Sequence, residues 1–460
     1  MATRCAAPRE RTVAAYTSVV SSLLFPLHER AKHHSSVAAR RALEQTQWWP
    51  RERLVALQVE RLRALLTEAG AHVPYYRALF AATGFDPARV TRLADLQRLP
   101  VLTKAIIRAH TDALKHEHAS RLATSTTGGS SGEPLIFHIG KERVSHDVAA
   151  KWRATRWWGV DIGDRETVLW GSPIELGAQD RARLWRDRLF RSRLLSAFDM
   201  SQRNLDRFIA SIRAFRPRMV FGYPYSLALL ARHADERGVL LNDVGVKVVF
   251  VTSEQLYDDQ RATIGRVFGC PVANGYGGRD AGFIAHECPA GGMHITAEDI
   301  IVELLDAEGR NVPVGEPGEV TVTHLASKDY PFVRYRTGDI AVLDDRVCPC
   351  GRGLPLLREI QGRTNDFLKA LNGTPIPCGA FTYLLRSVPG IASFKIVQET
   401  IHTTRLMIVA GAGFEPASLD AVVAGFRHRL GESVAVDIEL VPAIPKERSG
   451  KFRYIVSKVA

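Results

Sequence analysis

The sequence has no long apolar run. No stretch approaches the about 20 uninterrupted apolar residues that a membrane-spanning helix needs, so we expect no transmembrane segment. Residues 13–27 are fairly apolar and follow three arginines. Hydroxyl side chains interrupt them, however, and no small-residue cleavage site is evident. An amphipathic N-terminal helix packed on the body of the protein is therefore predicted.

Cysteine is also scarce, and internal repeats and low-complexity tracts are absent. Six cysteines in 460 residues do not describe a disulfide framework, which indicates a reducing, cytoplasmic location and leaves metal binding open. The length suggests two or three domains, and the apolar content is ample for a core in each.

Acidic residues are in the minority, and the formal net charge is +12. The basic residues are mostly arginines that look scattered, without an evident basic helix face carrying interleaved aromatics. We therefore interpret the charge as solvated surface with some phosphate-facing arginines, and expect no nucleic-acid partner. The oligomeric state, with a homodimer among the options, and membrane association of the N-terminal segment stay open.

Glycine and hydroxyl residues are concentrated in residues 127–134, Thr-Gly-Gly-Ser-Ser-Gly-Glu-Pro. Glycine lets a backbone approach a ligand closely, and consecutive amides in such a turn can cradle an anion. The lysine of the common phosphate-binding loop is missing from its usual position. On composition alone such a cluster is more often a flexible surface loop, so nucleotide binding needs support from elsewhere in the chain.

The apolar pattern predicts an α/β protein. A helical stripe of Val55, Val59, Leu62, Leu66 and Ala69 ends at Gly70. Between residues 167 and 276, short β-rich runs alternate with helical segments, which indicates βαβ units and a mostly parallel sheet. Ligands in such sheets bind at the carboxyl ends of strands, where Tyr223-Pro224, Ser253-Glu254 and residues 275–278 lie.

The pattern of predicted secondary structure changes twice after this sheet. Short strands and turns from about 285 to 360 predict a β-rich subdomain, and a strand, strand, helix, strand pattern follows residue 362. We therefore predict a large N-terminal domain, residues 1–362, and a small mobile α+β domain, residues 363–460, close to the minimum size that folds alone.

Four further stretches combine glycine with charge. Individually, each is more often a polar turn than a site. They are Tyr276-Gly277-Gly278-Arg279-Asp280, Tyr335-Arg336-Thr337-Gly338-Asp339, Gly362-Arg363-Thr364-Asn365-Asp366 and residues 445–451, which end in Gly450-Lys451.

In their order and spacing, these stretches and the glycine-serine loop resemble the adenylate-forming ligases: acyl-CoA synthetases, adenylation domains and luciferases. The resemblance covers nearly the whole chain. Within these ligases, the chain further resembles the phenylacetate–CoA ligase branch and its relatives linked to polysaccharide biosynthesis, in residues 73–76, 287–288, 292–294 and 348–352. The resemblance implies activation of an aryl or acyl carboxylic acid with ATP and Mg²⁺ to an acyl-adenylate, followed by transfer to coenzyme A.

The resemblance also implies residue roles. Tyr276 and Gly277 would lie near the adenine with Ser253 and Glu254 close by, and Asp339 would take the ribose hydroxyls. Tyr223, Pro224 and Gly275 would border the acid pocket, with Trp157, Trp158 and Trp170 as wall candidates that are more often plain core. Asp280 would bind Mg²⁺, Arg363 would contact the ribose or a phosphate, and Asn365 would be the hinge. Lys451, with Asp280, would catalyse the first step. The residues that would bind the phosphates are Thr127, Gly128, Gly129, Ser130, Ser131 and Gly132.

Two departures from the family pattern bear on activity. Asp280 stands where Glu is usual and is one methylene shorter, so it would reach Mg²⁺ through water. Glu133 stands where many relatives carry Lys, and an acid there weakens triphosphate binding unless it is paired or turned to solvent. Transfer to an amine, or a degenerate nucleotide-binding scaffold, are the alternatives that stay open.

Four side chains have the chemistry of a structural zinc site. Cys288, His294, Cys348 and Cys350 offer three thiolates and an imidazole, a tetrahedral ligand set. Composition alone leaves buried free thiols equally possible, and the likeness to the branch favours zinc. His286 is a spare ligand candidate, and Cys5, Cys270 and Cys378 are expected to be ordinary thiols.

Overall fold

The computed structural model describes residues 15–127, 135–171, 181–197, 199–363, 367–377, 379–445 and 452–459. The predicted N-terminal helix is present: helix α1 covers residues 15–31, with a π-helical segment at Val20–Leu24. One face of α1 is buried through Thr17, Val20, Phe25 and Glu29, so it packs on the body as an amphipathic helix.

Four more α-helices follow before the first strand of the described chain, and the second of these is the one that the apolar stripe predicts. At the start of that helix the buried residues differ from the predicted ones by one position: Leu54 and Gln58 are buried in place of Val55 and Val59. The helix also continues two residues past Gly70 and ends before Pro74. The four helices are α2 (Ser36–Thr46), α3 (Arg51–His72), α4 (Pro74–Thr83) and α5 (Lys104–Ala109).

Two paired strands flank the glycine-serine loop in the sequence. Strands β1 (Ala123–Thr126) and β2 (Ile136–Ile139) pair antiparallel, with Thr126 opposite Ile136. Helix α6 (Lys141–Trp157) follows directly. Residues 128–134, which carry most of the predicted phosphate contacts, lie outside the described residues.

One eleven-stranded sheet forms the body of the protein, in the order β10-β11-β12-β13-β9-β8-β7-β6-β5-β3-β4. Strands β3 to β7 are parallel, as predicted. The sequence does not predict β4, because one arginine and two serines leave it only two apolar residues. The parallel part consists of β3 (Glu166–Trp170), β4 (Ser192–Ser196), β5 (Met219–Gly222), β6 (Val248–Thr252) and β7 (Val272–Gly278), with helices α7 (Arg181–Leu189), α8 (Gln202–Phe215), α9 (Pro224–Glu236) and α10 (Asp258–Phe268).

The strands predicted as a β-rich subdomain continue this same sheet. Strand β8 pairs antiparallel with β7, and β9 joins β8 to β13, so backbone hydrogen bonds connect the parallel and antiparallel parts. The antiparallel strands are β8 (Gly282–Glu287), β9 (Met293–Ile295), β10 (Ile300–Leu305), β11 (Pro317–His324), β12 (Tyr335–Asp344) and β13 (Leu356–Arg363).

The C-terminal part has its own sheet and its own apolar core. Its four-stranded sheet has the order β18-β17-β16-β19, and the core includes Phe381, Ile396, Leu406 and Phe426. Its elements are β14 (Phe367–Lys369), β15 (Pro375–Pro377), α11 (Gly379–Arg386), β16 (Ile391–Thr400), β17 (Thr403–Ala410), α12 (Leu419–Leu430), β18 (Ala435–Leu440) and β19 (Ile455–Ser457). The α/β class with a small α+β unit at the C-terminus is confirmed.

In the described part of the chain, no helix has both the length and the apolarity needed to span a bilayer.

Candidate active site

The carboxyl ends of β6 and β7 bring several predicted site residues together. Ser253 directly follows β6 with a φ of 72°, in the left-handed region that side-chain-bearing residues seldom adopt. Strain of this kind persists where surrounding contacts fix it, and it is common at ligand sites. The Glu254 carboxylate accepts a hydrogen bond from the Tyr225 backbone N–H at 3.3 Å.

Tyr276 and Asp339 are joined directly. The Tyr276 hydroxyl donates to Oδ2 of Asp339 at 2.9 Å, although 63 residues separate them in the sequence. Asp339 also lies opposite Arg363 in the β12–β13 ladder, so two predicted nucleotide residues lie on adjoining strands and the Tyr276 hydroxyl reaches one of them from β7. The Arg363 side chain is not among the described atoms.

The two predicted glycines of β7 are required for packing. A Cβ on Gly277 would lie 2.2 Å from the Gly282 carbonyl oxygen, and one on Gly275 would lie 2.9 Å from the Phe250 ring. These clashes arise inside the sheet, between β7 and its neighbours β8 and β6. Close strand approach is thus a sufficient reason for glycine at both positions, whether or not a ligand binds there.

Asp280 is held from two sides. The hydroxyl of Tyr335, which is fully buried, donates to Asp280 Oδ2 at 2.5 Å. The buried Arg143 guanidinium on α6 donates to the carbonyl oxygens of Arg279 at 3.2 Å and Asp280 at 3.5 Å, and pairs with Asp147 at 3.0 Å. Both the carboxylate and the backbone of this predicted magnesium ligand are therefore fixed.

The same turn contacts the base of the glycine-serine loop. Arg279 donates to the Thr126 carbonyl oxygen at 3.4 Å. Thr127 closes the hairpin, because its N–H donates to the Leu135 carbonyl at 3.0 Å and its hydroxyl accepts from the Leu135 N–H at 2.9 Å. Gly128, Gly129, Ser130, Ser131 and Gly132 lie outside the described residues, as does Glu133.

The C-terminal unit docks onto this edge of the sheet. The Phe452 backbone N–H donates to Glu254 Oε1 at 3.0 Å, and the Phe452 ring stacks on Tyr225 with centroids 4.2 Å apart and planes 8° from parallel. Arg386 pairs with Asp259 at 2.6 Å in the same interface. Lys451, which precedes Phe452 in the chain, and Asn365 lie outside the described residues.

The predicted acid pocket has an aromatic border. Tyr223 is buried and stacks on Trp170 with ring centroids 4.1 Å apart, and Pro224 begins α9 beside it. Trp157 and Trp158 make different contacts: the Trp157 indole N–H donates to Gln47 at 2.8 Å and that of Trp158 to the Glu287 carbonyl at 3.0 Å.

The four candidate metal ligands converge, and their donor atoms all lie within 4.8 Å of one another. Cys288 Sγ is 3.6 Å from Cys348 Sγ, and His294 Nε2 is 3.1 Å from Cys350 Sγ. His294 Nδ1 faces the Leu354 carbonyl at 3.3 Å, an arrangement that directs Nε2 toward the thiols.

The surroundings of this cluster fit a soft divalent metal. Burial lowers the His294 pKa to about 4, so the imidazole is neutral and able to ligate. A Cβ on Gly292 would lie 2.7 Å from Cys348 Sγ, so glycine makes room for the thiol. His286, the spare candidate, is buried beside Phe283 with no hydrogen-bond partner in the described part of the chain, and it is not in the cluster.

Sequence reasoning missed the residues that support the site. In the sequence, Tyr335 stands out only as the first residue of its motif, and no motif points to Arg143, Tyr225 or Phe452. The position of Tyr335 four residues before Asp339 was the one available signal. The others depend on which helix crosses the sheet and where the C-terminal unit docks.

Comparison with known proteins agrees with this geometry. Residues 369–458 match the family model described as the CapK C-terminal domain. The chain is 26% identical over 450 residues to the phenylacetate–coenzyme A ligase of Thermus thermophilus, covering 88% of this chain and 97% of the relative. It is 22% identical over 410 residues to protein CapK of Staphylococcus aureus, covering 88% and 90%.

A solved structure extends the likeness to the whole fold. A 2-hydroxyisobutyryl-CoA ligase in its postadenylation state superposes with a TM-score of 0.73 at 21% identity, covering 90% of this chain and 92% of that one. The chain is similar to adenylate-forming ligases over most of its length. Among them, the similarity is to phenylacetate–CoA ligases and to CapK, as the sequence motifs predict. The same solved ligase in its thioesterification state gives a TM-score of 0.59 at the same identity and coverage.

Proposed function

We propose that this adenylate-forming ligase activates an organic acid with ATP and passes the acyl group to coenzyme A. The observation that carries the proposal is the docking of Phe452 on Glu254 at the carboxyl end of β6. That contact ties the segment following Lys451 to the edge of the sheet where Tyr276, Asp280 and Asp339 lie. A catalytic lysine from a separate domain requires such a contact.

In the first step, a carboxylate oxygen of the acid attacks the α-phosphorus of ATP. A P–O bond forms, the bond to the β,γ-diphosphate breaks, and pyrophosphate leaves. Negative charge builds at the α-phosphate, so positioning and neutralisation should supply most of the acceleration. We assign neutralisation to Lys451, the pyrophosphate moiety to residues 127–132, and the ribose to Asp339 and Arg363.

Asp280 is the candidate ligand for Mg²⁺, which when bound would neutralise phosphate charge. The Tyr335 hydrogen bond fixes one oxygen of the carboxylate and so orients the other. An aspartate held in this way fits a water-mediated contact, because Mg²⁺ retains several waters in many sites. The shorter side chain is therefore compatible with activity.

In the second step, the coenzyme A thiolate attacks the acyl carbonyl. The C–S bond forms, the C–O bond to the phosphate breaks, and AMP leaves. The C-terminal unit would rotate about Asn365 between the steps. The interface that must open consists, among the described residues, of a few polar contacts and the rings around Phe452, which suits a reversible contact.

We further propose an aryl or acyl acid as substrate and zinc as the ion of the cysteine cluster. The stacked pair of Tyr223 and Trp170 supports an apolar pocket wall at the carboxyl end of β5. Three thiols and a neutral imidazole support zinc, which would connect β8 and β9 to the segment between β12 and β13. A site closed by four protein ligands is structural.

The test is pyrophosphate release across a panel of carboxylic acids, with ATP and high Mg²⁺. Acid-dependent release, followed by a thioester on adding coenzyme A, would support the proposal. Product only with amines would move the function to amide formation. ATP binding without turnover for any acid would favour the nucleotide-binding scaffold.

Lys451→Ala tests the lysine in the same assay. Adenylate formation should fall by about a thousandfold, the scale of a lost transition-state charge contact, with ATP affinity nearly unchanged. Lys458→Ala is the matched control, since that lysine pairs with Glu399 on the surface. Acyl-AMP formation at near wild-type rate in Lys451→Ala would refute the assignment.

A further inference from the structure

Helices α1 and α7 expose large apolar side chains. Helix α1 exposes Val19, Leu23 and Leu27, at four-residue spacing. Helix α7 exposes Leu184, Trp185 and Leu189, and the Trp185 side chain is 69% exposed. Single exposed apolar residues are ordinary, but six on two neighbouring helices are not. These six residues are called the α1–α7 face below.

The two helices are fixed against each other. The Tyr16 hydroxyl donates to the Leu189 carbonyl at 2.8 Å. Phe190, which follows α7, packs edge-on against Phe25 and His28, with ring centroids 5.6 Å and 5.2 Å away. Helices α1 and α7 are therefore in direct contact, with exposed apolar side chains on both.

Positive charge is concentrated beside these apolar side chains. Residues 181–193, Arg-Ala-Arg-Leu-Trp-Arg-Asp-Arg-Leu-Phe-Arg-Ser-Arg, hold six arginines and one aspartate. Arg188 is exposed near Trp185, and α1 ends next to the exposed Arg30 and Lys32. The arginines are thus not all scattered, because four of these six lie in helix α7, on both sides of Trp185.

We propose that the α1–α7 face docks this protein on an anionic lipid surface. Amphipathic helices with Trp and Leu on one side and arginines around them bind in the plane of the membrane interface. Each basic residue near such a surface adds attraction to acidic headgroups. A nucleic acid would use the arginines but leave Val19, Leu23, Leu27 and the leucines of α7 in water, so the apolar content favours lipid.

The experiment is cosedimentation of the full chain with vesicles, read out as the partition coefficient. Binding should be clear with one-third phosphatidylglycerol in phosphatidylcholine, weak with phosphatidylcholine alone, and reduced at 0.5 M salt. Leu23→Ser/Trp185→Ser should lower the partition coefficient at least tenfold. Arg188→Glu, which reverses one charge, should lower it about tenfold.

Matched control variants distinguish binding through this face from non-specific hydrophobic or electrostatic binding to vesicles. Leu240→Ser/Leu440→Ser removes two exposed leucines elsewhere, and Arg51→Glu reverses an exposed charge at the start of α3. Both should bind vesicles like the wild type, and melting temperatures check that every variant folds.

Three outcomes overturn the proposal. Equal binding by the wild type and Leu23→Ser/Trp185→Ser would exclude the face. Binding to a DNA or RNA duplex at moderate salt, with none to vesicles, would assign the arginines to nucleic acid. Dimerisation that the double variant abolishes, without lipid binding, would assign the face to a second copy of the chain. None of these outcomes bears on adenylate formation.

Discussion

The hydroxyl of Tyr335 donates a hydrogen bond to Oδ2 of Asp280 over 2.5 Å. The donor begins β12 and the acceptor lies in the turn between β7 and β8, so the bond connects two of the family motifs. Because the tyrosine is buried, its hydroxyl has little competition from water. We infer that Tyr335 positions the candidate magnesium ligand.

Tyr335→Phe should raise the Mg²⁺ concentration that gives half-maximal pyrophosphate release by about fivefold to tenfold. The ring would still fill its place in the core, but a hydrogen bond to a charged group, worth about 1.5–3 kcal/mol, would be lost. A Mg²⁺ titration of initial rates measures the effect.

Tyr76→Phe is the control for that titration. Its hydroxyl donates to the Pro331 carbonyl at 3.0 Å within the same apolar core, without a contact to Asp280 in the described structure. It should lower the free energy of unfolding by about 1 kcal/mol and leave the Mg²⁺ response unchanged. An identical Mg²⁺ response in the two variants would show that Tyr335 is only structural.

Phe452→Ala should slow adenylate formation at least tenfold while sparing the second step. The substitution removes the ring that stacks on Tyr225 and so weakens the docked arrangement, and a loss of about 1.4 kcal/mol is already tenfold. Single-turnover formation of acyl-AMP is compared with thioester formation from supplied acyl-AMP. Phe414→Ala, a phenylalanine packed against the C-terminal core, is the control. Equal losses in both steps would argue against the docking role.

Zinc removal should loosen the fold before it affects the chemistry. We expect about one zinc per chain by elemental analysis, and a melting temperature about 5–10 °C lower in Cys350→Ser, because ligand loss removes binding energy from the folded state. Cys270→Ser changes a thiol outside the cluster and should retain the metal. Zinc-free protein with an unchanged melting temperature would eliminate the structural metal.

The buried pair of His146 and Asp299, 2.7 Å apart, should make stability depend on pH. Burial opposes charge on His146, yet Asp299 outweighs it and raises the His146 pKa above its usual 6.5. Burial likewise opposes charge on Asp299, but His146 and then Arg61 hold the Asp299 pKa at about 2.

The signs of these shifts define the window. The raised histidine pKa stabilises the fold fully below about pH 6.5, and this contribution is lost as pH rises through the folded value. The lowered aspartate pKa stabilises it above about pH 4, and this is lost as pH falls toward 2. The pair is therefore strongest between about pH 4 and 6.5.

His146→Gln should accordingly lower the free energy of unfolding by about 2 kcal/mol near pH 5.5, and by less at pH 8.5. Urea denaturation at the two pH values measures this difference. His116→Gln breaks a pair with the half-exposed Glu68 and should cost less than about 1 kcal/mol. A loss that is the same at both pH values for His146→Gln would contradict the assignment.

Some elements of the fold leave a local signal in the sequence, and others do not. The strands β3, β5 and β6 followed from β-rich runs between helical segments, since buried parallel strands leave a local apolar signal. The strand β4 and the exact buried stripe of α3 could not be predicted from an apolar pattern. Serine and arginine occupy positions of β4, and a glutamine is one of the buried residues of α3. Glycines 275 and 277 looked like ligand-facing positions, yet contacts within the sheet already require them.

The sequence by itself determined the resemblance to adenylate-forming ligases, the α/β class and the identity of the four metal-ligand candidates, because these depend on residue types at fixed positions along the chain. Only the tertiary structure decided that Tyr335 donates to Asp280, that Phe452 docks on Glu254, and that α1 lies against α7. Each of these joins segments at least 55 residues apart, and such distances close only when the sheet and the two cores pack.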